Sequence, residues 1–251
     1  MDRVTDGVEL LDGSLDDLPA LLGNLRDFRR INRWLGGASL SEPAIDAVAA
    51  HRPELTLLDV GTGGADIPVD LLGRAERRGR HWSVVAIDSR AEVLAAAVQA
   101  RPGIASVPGL ELHVGDGRSL PYPDRSFDVA HASLVLHHLD PEAAVELLRE
   151  MARVARLGIV VNDLERGRLG WVGAWLMGHL LTGSRFTRHD APLSVARSYQ
   201  AREMTGLMRA AGLMPVRIVR GAFRQRYAIA AVPAAADDDL DAPPDPQGVG
   251  E

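Results

Sequence analysis

Between Leu57 and Asp66 the chain reads Leu-Leu-Asp-Val-Gly-Thr-Gly-Gly-Ala-Asp. An apolar run of strand character enters this segment, and a helical pattern at 64–76 leaves it. Gly61, Gly63 and Gly64 stand at the joint. Glycine adopts positive φ without steric cost, so it permits a turn too tight for other residues. It also lets backbone approach a ligand closely, and the helix that follows offers unpaired N–H groups there. A strand, a glycine turn and a helix in that order open a parallel sheet. The expectation is an α/β chain with a ligand at the carboxyl end of that strand.

The rest of the pattern agrees. Apolar runs at 56–60, 83–87, 111–114, 127–131 and 158–162 read as strands, with helical patterns at 64–76, 91–100 and 141–155 among them. Two further runs, 215–220 and 226–231, are joined by a short glycine-containing turn, which predicts an antiparallel pair. The expected fold class is α/β: a mostly parallel seven-stranded sheet with helices on both faces and an antiparallel edge strand pair. The 251 residues suffice for one medium domain with a real core. We expect an N-terminal helical cap over 1–40, a main domain over 41–232 and a tail over 233–251. In the cap, Leu25, Phe28, Ile31, Trp34 and Leu35 recur at helical spacing, and Gly36-Gly37 is expected to end the helix. Residues 163–199 are too long for a plain connection and are expected to form a substrate insert. The tail, rich in Pro, Ala and Asp, reads as disordered.

A third glycine or alanine at position 66 would complete a dinucleotide-binding turn, but Asp66 stands there. A carboxylate repels a pyrophosphate and suits a cationic, amino-bearing ligand. Asp59 adds a second acid on the same side. The second strand ends at Asp88, which can accept hydrogen bonds from both hydroxyls of a ribose; Ser89 follows. The third strand leads into Gly115-Asp116-Gly117-Arg118, where Asp116 can accept from an adenine amino group and Gly117 allows close approach. The plainer alternative is that Asp59 and Asp66 charge a helix start while Asp88 and Asp116 serve as turn acids.

These pieces resemble the class I, Rossmann-like S-adenosylmethionine-dependent methyltransferases, and among them the small-molecule group around the ubiquinone and menaquinone methyltransferases. The matching segments are LLDVGTGGADIP at 57–68, VVAIDSR at 84–90, VGDGRSLPYPDRSFDVAHASLVLHHLD at 114–140, and the helix 141–155 with GIVVND at 158–163. The resemblance covers residues 43–232. It implies S-adenosyl-L-methionine as the cofactor, bound by the main domain. Asp59, Gly61 and Gly63 would hold its methionine part and Asp88 its ribose. Asp116 would lie near adenine, and Ala132 and Ser133 would line the methionine side. Thr62, Asp66, Ser89, Gly117 and Arg118 complete the expected set. Nothing in the resemblance reaches the insert or the tail.

Methyl transfer from a sulfonium is an in-line displacement whose leaving group is already activated. The protein mainly aligns the partners and excludes water. An oxygen or carbon acceptor also needs a base. His137, His138 and Asp163 are the catalytic candidates, with His131 and Glu165 nearby in sequence. Any of them could instead hold its loop by hydrogen bonding. No metal is expected. The pair Asn162-Asp163 lacks an acid after the fourth strand, where His131-Ala132-Ser133 stands, and the chain has no Cys for a thiolate site. In the insert, Trp171, Val172, Trp175, Leu176, Met177, Leu180 and Leu181 precede Arg185, Arg188 and Arg197. An apolar helix followed by a cationic loop could hold an apolar acceptor with a phenolic or anionic head. The alternative is a packing helix with solvated arginines. The helix carrying Arg29, Arg30 and Arg33 is expected to close over the cofactor.

The net charge of −6 rests on the tail, where Asp237, Asp238, Asp239, Asp241, Asp245 and Glu251 face no basic residue. The near-neutral body argues against nucleic acid as a partner. No membrane span is expected, since the longest apolar stretch, Trp171 to Leu181, is too short. The expectation is a cytoplasmic monomer or homodimer that O-methylates a small, largely apolar acceptor, phenols included, in a biosynthetic pathway. Three alternatives stand beside it: C-methylation of a quinone-like or polyketide ring, an NAD-dependent oxidoreductase, and a non-catalytic S-adenosylmethionine binder.

Overall fold

The computed structural model describes residues 1–234 apart from 14, 16, 181 and 183. The expected tail, from 235 onward, lies outside the described residues. Five strands run parallel: β1 (Glu54–Val60), β2 (His81–Asp88), β3 (Leu110–Val114), β4 (Phe127–Ser133) and β5 (Ala155–Leu164). With β6 (Leu213–Arg220) and β7 (Arg226–Pro233) they form one sheet in the order β3-β2-β1-β4-β5-β7-β6. β7 is antiparallel to both of its neighbours. The edge hairpin therefore inserts its second strand and leaves its first outside. The residues explain the choice. Tyr227 to Ala231 are buried on both faces, whereas β6 carries Pro215, which cannot donate to a ladder and belongs on an edge.

Successive strand residues feed two cores. Leu57 and Val160 pack under α2 (Gly37–Ala49), α3 (Asp66–Arg77) and α4 (Ala91–Ala100). Leu58 and Val161 pack on the opposite face under α5 (Pro141–Val154) and α8 (Ala201–Ala210). This alternation follows from the period of two along a strand. Strand ends differ from the expectation by a few residues, with one consequence. β5 runs on to Leu164, so Asp163 lies inside the strand and not after it.

The glycine pair at 36–37 behaves in two ways. Gly36 takes φ +95° and ends α1 (Leu18–Leu35). Gly37 at once begins α2, a helix the sequence reading did not foresee. Pro43 lies inside it, but burial of Ala44, Ile45 and Ala49 against the sheet outweighs that defect. α1 itself packs Leu21 and Leu25 against Ala96 and Ala97 of α4. The insert forms two helices, α6 (Arg168–Leu180) and α7 (Arg185–Arg197). Together α1, α6 and α7 make a roof over the carboxyl ends of β1, β2, β4 and β5.

The N-terminal strand of chain closes this roof. Arg3 donates to the carbonyls of Arg197 (2.6 Å) and Leu139 (2.7 Å). The Asp190 carboxylate accepts from the N–H groups of Leu10 and Leu11 at 2.8 and 3.1 Å. Arg90 donates to the carbonyls of Leu11 and Gly13 at 2.7 and 2.9 Å. These ties deliver Glu9 to the site described next.

Candidate active site

Beneath the roof lies a cavity of about 490 Å³, within the size range of small-molecule sites. The glycine turn forms part of its wall. Gly61 and Gly63 hold φ at +71° and +55°. A Cβ on Gly61 would stand 2.5 Å from Val135 Cγ2, whereas one on Gly63 would meet only open space. Gly63 N donates to Asp88 Oδ2 at 2.9 Å, and Arg90 N donates to Oδ1 at 3.0 Å. Burial pushes the Asp88 carboxyl up against these two donors. Each oxygen keeps a lone pair for a ligand hydroxyl. Thr62 Oγ1, on the cavity wall, is buried without a partner. Asp59, Asp66, Ser89 and Ser133 also line the cavity.

Behind this wall runs one buried polar chain. His131 Nδ1–H donates to Asp59 Oδ1 at 2.5 Å. Asn162 Nδ2 donates to Ser41 Oγ at 2.8 Å, so the Ser41 hydroxyl proton is free to serve His131 Nε2, also at 2.8 Å. Arg226, at the start of β7, then donates to Asn162 Oδ1 (2.6 Å), Asn32 Oδ1 (2.6 Å) and Ser133 Oγ (2.7 Å). Asn32 Nδ2 donates onward to Asp66 Oδ2 at 3.0 Å. Burial brings the Arg226 guanidinium down to about 10, while the charges of Asp163 and Asp66 oppose that shift. Burial likewise pushes Asp66 up, opposed by Asn32 and Arg226. The chain ties α1 to the sheet and fixes Asp59 and Asp66 at its two ends. His131 is thus wholly occupied in structure and does not reach the cavity.

The same cavity is also lined by titratable groups, Glu9, Asp12, His137 and His138 among them. His137 is buried, and its Nδ1–H donates to Asp163 Oδ1 at 2.7 Å. Its backbone N–H reaches Asp163 Oδ2 at 3.2 Å. Burial alone would raise the Asp163 carboxyl, but the His137 ring outweighs it and holds the acid below the ordinary range. With Nδ1 fixed, His137 Nε2 faces Glu9, 3.9 Å from Oε1. Burial pushes the Glu9 carboxyl up to about 7, although His138, the Ser194 hydroxyl and Arg197 favour its charge. His138 Nδ1 stands 3.1 Å from Asp12 Oδ1. Burial would raise Asp12, yet the His138 ring and the Arg197 guanidinium hold it well below the usual carboxylate range. Donor atoms of Glu9, His137 and His138 lie within 4.8 Å of one another, a spacing a metal ion could use. Arg197 already brings positive charge there, 3.5 Å from Glu9 and 3.0 Å from Asp12.

Five expected site residues do not line the cavity. Ala132 and Asp163 are buried behind it. Asp116 is exposed and accepts from Arg118 N at 2.9 Å, as a turn acid does. Arg118 is also exposed. Gly117 lies against the core: a Cβ there would stand 2.5 Å from Val60 Cγ1. The insert also departs from expectation. Its inner wall is small and apolar, from Gly170, Gly173, Ala174 and Met177. Trp171, Trp175, Arg185 and Arg188 point outward, so the cations expected to meet an anionic head are absent from the wall among the described residues. Glu9, Asn32 and Arg226 escaped the sequence reading. Arg226 had one signal, as the charged residue opening an otherwise apolar strand; Glu9 had none.

Residues 58–161 match the family model described as a methyltransferase domain. A ubiquinone/menaquinone biosynthesis C-methyltransferase from Xanthomonas campestris is 34% identical over 120 residues, covering 47% of this chain and 45% of that protein. An uncharacterised transposon protein from Streptomyces fradiae is 34% identical over 171 residues, covering 67% of this chain and 46% of its own. The chain thus spans about half the length of the curated relatives it matches. Among solved structures, a SAM-dependent methyltransferase from Aquifex aeolicus superposes with a TM-score of 0.60 at 18% identity, covering 84% of this chain and 97% of that one. At that identity the likeness concerns the fold, and it is the fold the sequence pattern predicts.

Proposed function

We propose, since residues 58–161 carry a methyltransferase domain, that this chain transfers the methyl group of S-adenosylmethionine to a small, largely apolar acceptor by O-methylation. One observation carries the reading. A single cavity is lined both by a glycine cradle with Asp88 and by His137, whose Nε2 stands beside Glu9. The cradle fits the cofactor by three features: the open space at Gly63, the unpartnered Thr62 hydroxyl and the free lone pairs of Asp88. Gly61, Thr62 and Gly63 would hold its amino-acid part, with Asp59 and Asp66 near its positive charges and Asp88 on its ribose. Bound there, it supplies an electrophilic methyl group on a sulfonium.

The chain's own residues do the rest. Asp163 keeps the proton of His137 on Nδ1, which leaves Nε2 to accept the proton of an acceptor hydroxyl. Glu9, with its carboxyl near neutrality, can share that proton. The apolar inner wall of α6 excludes water and accommodates an apolar acceptor body.

Incubation with S-adenosylmethionine and a panel of phenols tests this by mass spectrometry. The expected result is a product heavier by one methylene together with S-adenosylhomocysteine. Failure of the protein to bind S-adenosylhomocysteine at all would overturn the reading. C-methylation is the second reading, favoured by the Xanthomonas relative, whose name is that of a C-methyltransferase. The chemical shift of the new methyl group distinguishes the two.

A further inference from the structure

We propose that the outer surface of the roof docks on an anionic lipid bilayer, with α6 lying in the interface. Leu169, Val172, Leu176 and Leu180 recur every three or four residues along α6, and all are exposed, Leu169 at 78% and Leu180 at 73%. Trp171 and Trp175 flank this stripe and are also exposed. Trp34 of α1, 71% exposed, adds a further apolar side chain on the roof and borders a small groove with Met177 of α6.

The charged side chains of the three roof helices are mostly arginines, of which Arg185 pairs with Asp17 at the start of α1 at 3.2 Å. Arg29, Arg30 and Arg33 on α1, Arg168 on α6, and Arg185 and Arg188 on α7 are all exposed. The acids of these three helices are Asp27, which pairs with Arg30, and Asp190, which is buried. A cationic face on a chain of net charge −6 is a local arrangement, not a consequence of composition. Leucine and tryptophan on one side of a helix, edged by arginine, is the pattern of a helix that lies in a membrane interface. Anionic headgroups would pair with the arginines. A second copy of this chain on the same face would bring like charges together. The chain also leaves its described part at the far end of β7, away from the roof.

The inner side of α6 is the apolar cavity wall, so a docked roof would place the site one helix from the bilayer. An apolar acceptor could then enter from the lipid. That last step rests on the proposed activity, whereas the docking does not.

Co-sedimentation of the full chain with phosphatidylcholine vesicles, with and without phosphatidylglycerol, tests the docking. Binding is expected only with the anionic lipid and should weaken as salt is raised. Replacing Arg29, Arg30 and Arg33 together by Ser should weaken it on the order of 100-fold. Leu176→Asp with Leu180→Asp should abolish it. Both variants should keep wild-type affinity for S-adenosylhomocysteine by calorimetry, which shows that they are folded. Equal binding to both vesicle types, no binding, or wild-type binding by the variants would overturn the inference. So would a dimer whose dissociation follows the same substitutions. Vesicle binding without methyl transfer to any acceptor would leave the docking intact and count against the proposed activity.

Discussion

Arg226 is the residue whose removal should be felt most widely. Its guanidinium is buried and donates to Asn162, Asn32 and Ser133, each at 2.6–2.7 Å. It is also the cation nearest in effect to Asp66, whose carboxyl is already pushed up by burial. Arg226→Met keeps much of the volume and removes every donor. Two amide oxygens then lose a partner, and Asp66 loses its compensating charge. Breaking a buried charged network by deleting one member costs about 3–5 kcal/mol. For a domain of this size each kcal/mol lowers Tm by about 2–4 °C, so a fall of about 6–20 °C is expected. Thermal unfolding followed by circular dichroism at neutral pH reads it directly. Adding Asp66→Asn to the variant removes the stranded carboxylate and should restore part of the loss, with a coupling of about 1–3 kcal/mol. A Tm within about 2 °C of wild type would refute the reasoning. Strict additivity of the two substitutions would refute the electrostatic part of it.

Three further outcomes are expected. Glu9 is raised from 4.5 to about 7, so the folded protein holds a proton that the unfolded chain releases. Its contribution to stability is full below pH 4.5 and lost as pH rises through about 7, by up to about 3 kcal/mol at about 1.4 per pKa unit. Denaturant titrations from pH 4 to 8 should therefore show a fall that Glu9→Gln lacks; parallel profiles would contradict it. Gly61→Ala forces a Cβ into positive φ, at roughly 1–2 kcal/mol, and against Val135. It should lower both Tm and affinity for S-adenosylhomocysteine, and unchanged calorimetry would oppose that. His137→Gln should reduce kcat by about 10²–10⁴-fold with donor affinity intact, and full activity would remove it from the proton path.

Most of the sheet was legible because strand periodicity and glycine punctuation are local signals. The run LLDVGTGGAD and the acid at 88 pointed to two consecutive strand ends, and Gly61, Gly63 and Asp88 there line the cavity. Asp116 and Gly117 lie outside the cavity lining, and their letters do not separate a ligand contact from a turn acid and a packing glycine. The cluster of Glu9, His137 and His138 was half legible. His137 and His138 stood out as a pair, but Glu9 comes from far along the chain and is brought in by main-chain ties that no local pattern encodes. Arg185 and Arg188 suit a ligand-facing loop or a solvated helix face equally by sequence, and α7 turns them outward. Which side of a helix faces the cavity depends on its partners, here α1 and α7, and α6 gave no sequence signal of that choice because apolar residues surround it on both sides.

The central claim is that the Gly61–Gly64 turn and Asp88 hold the methyl donor. Calorimetric titration of S-adenosylhomocysteine into the wild type and Asp88→Ala tests it most directly. Wild type should bind saturably at one site, and the variant should bind about tenfold to 100-fold more weakly, as loss of hydrogen bonds to a carboxylate requires. Equal affinity in the two proteins, or tighter binding of NADH than of S-adenosylhomocysteine to the wild type, would contradict it.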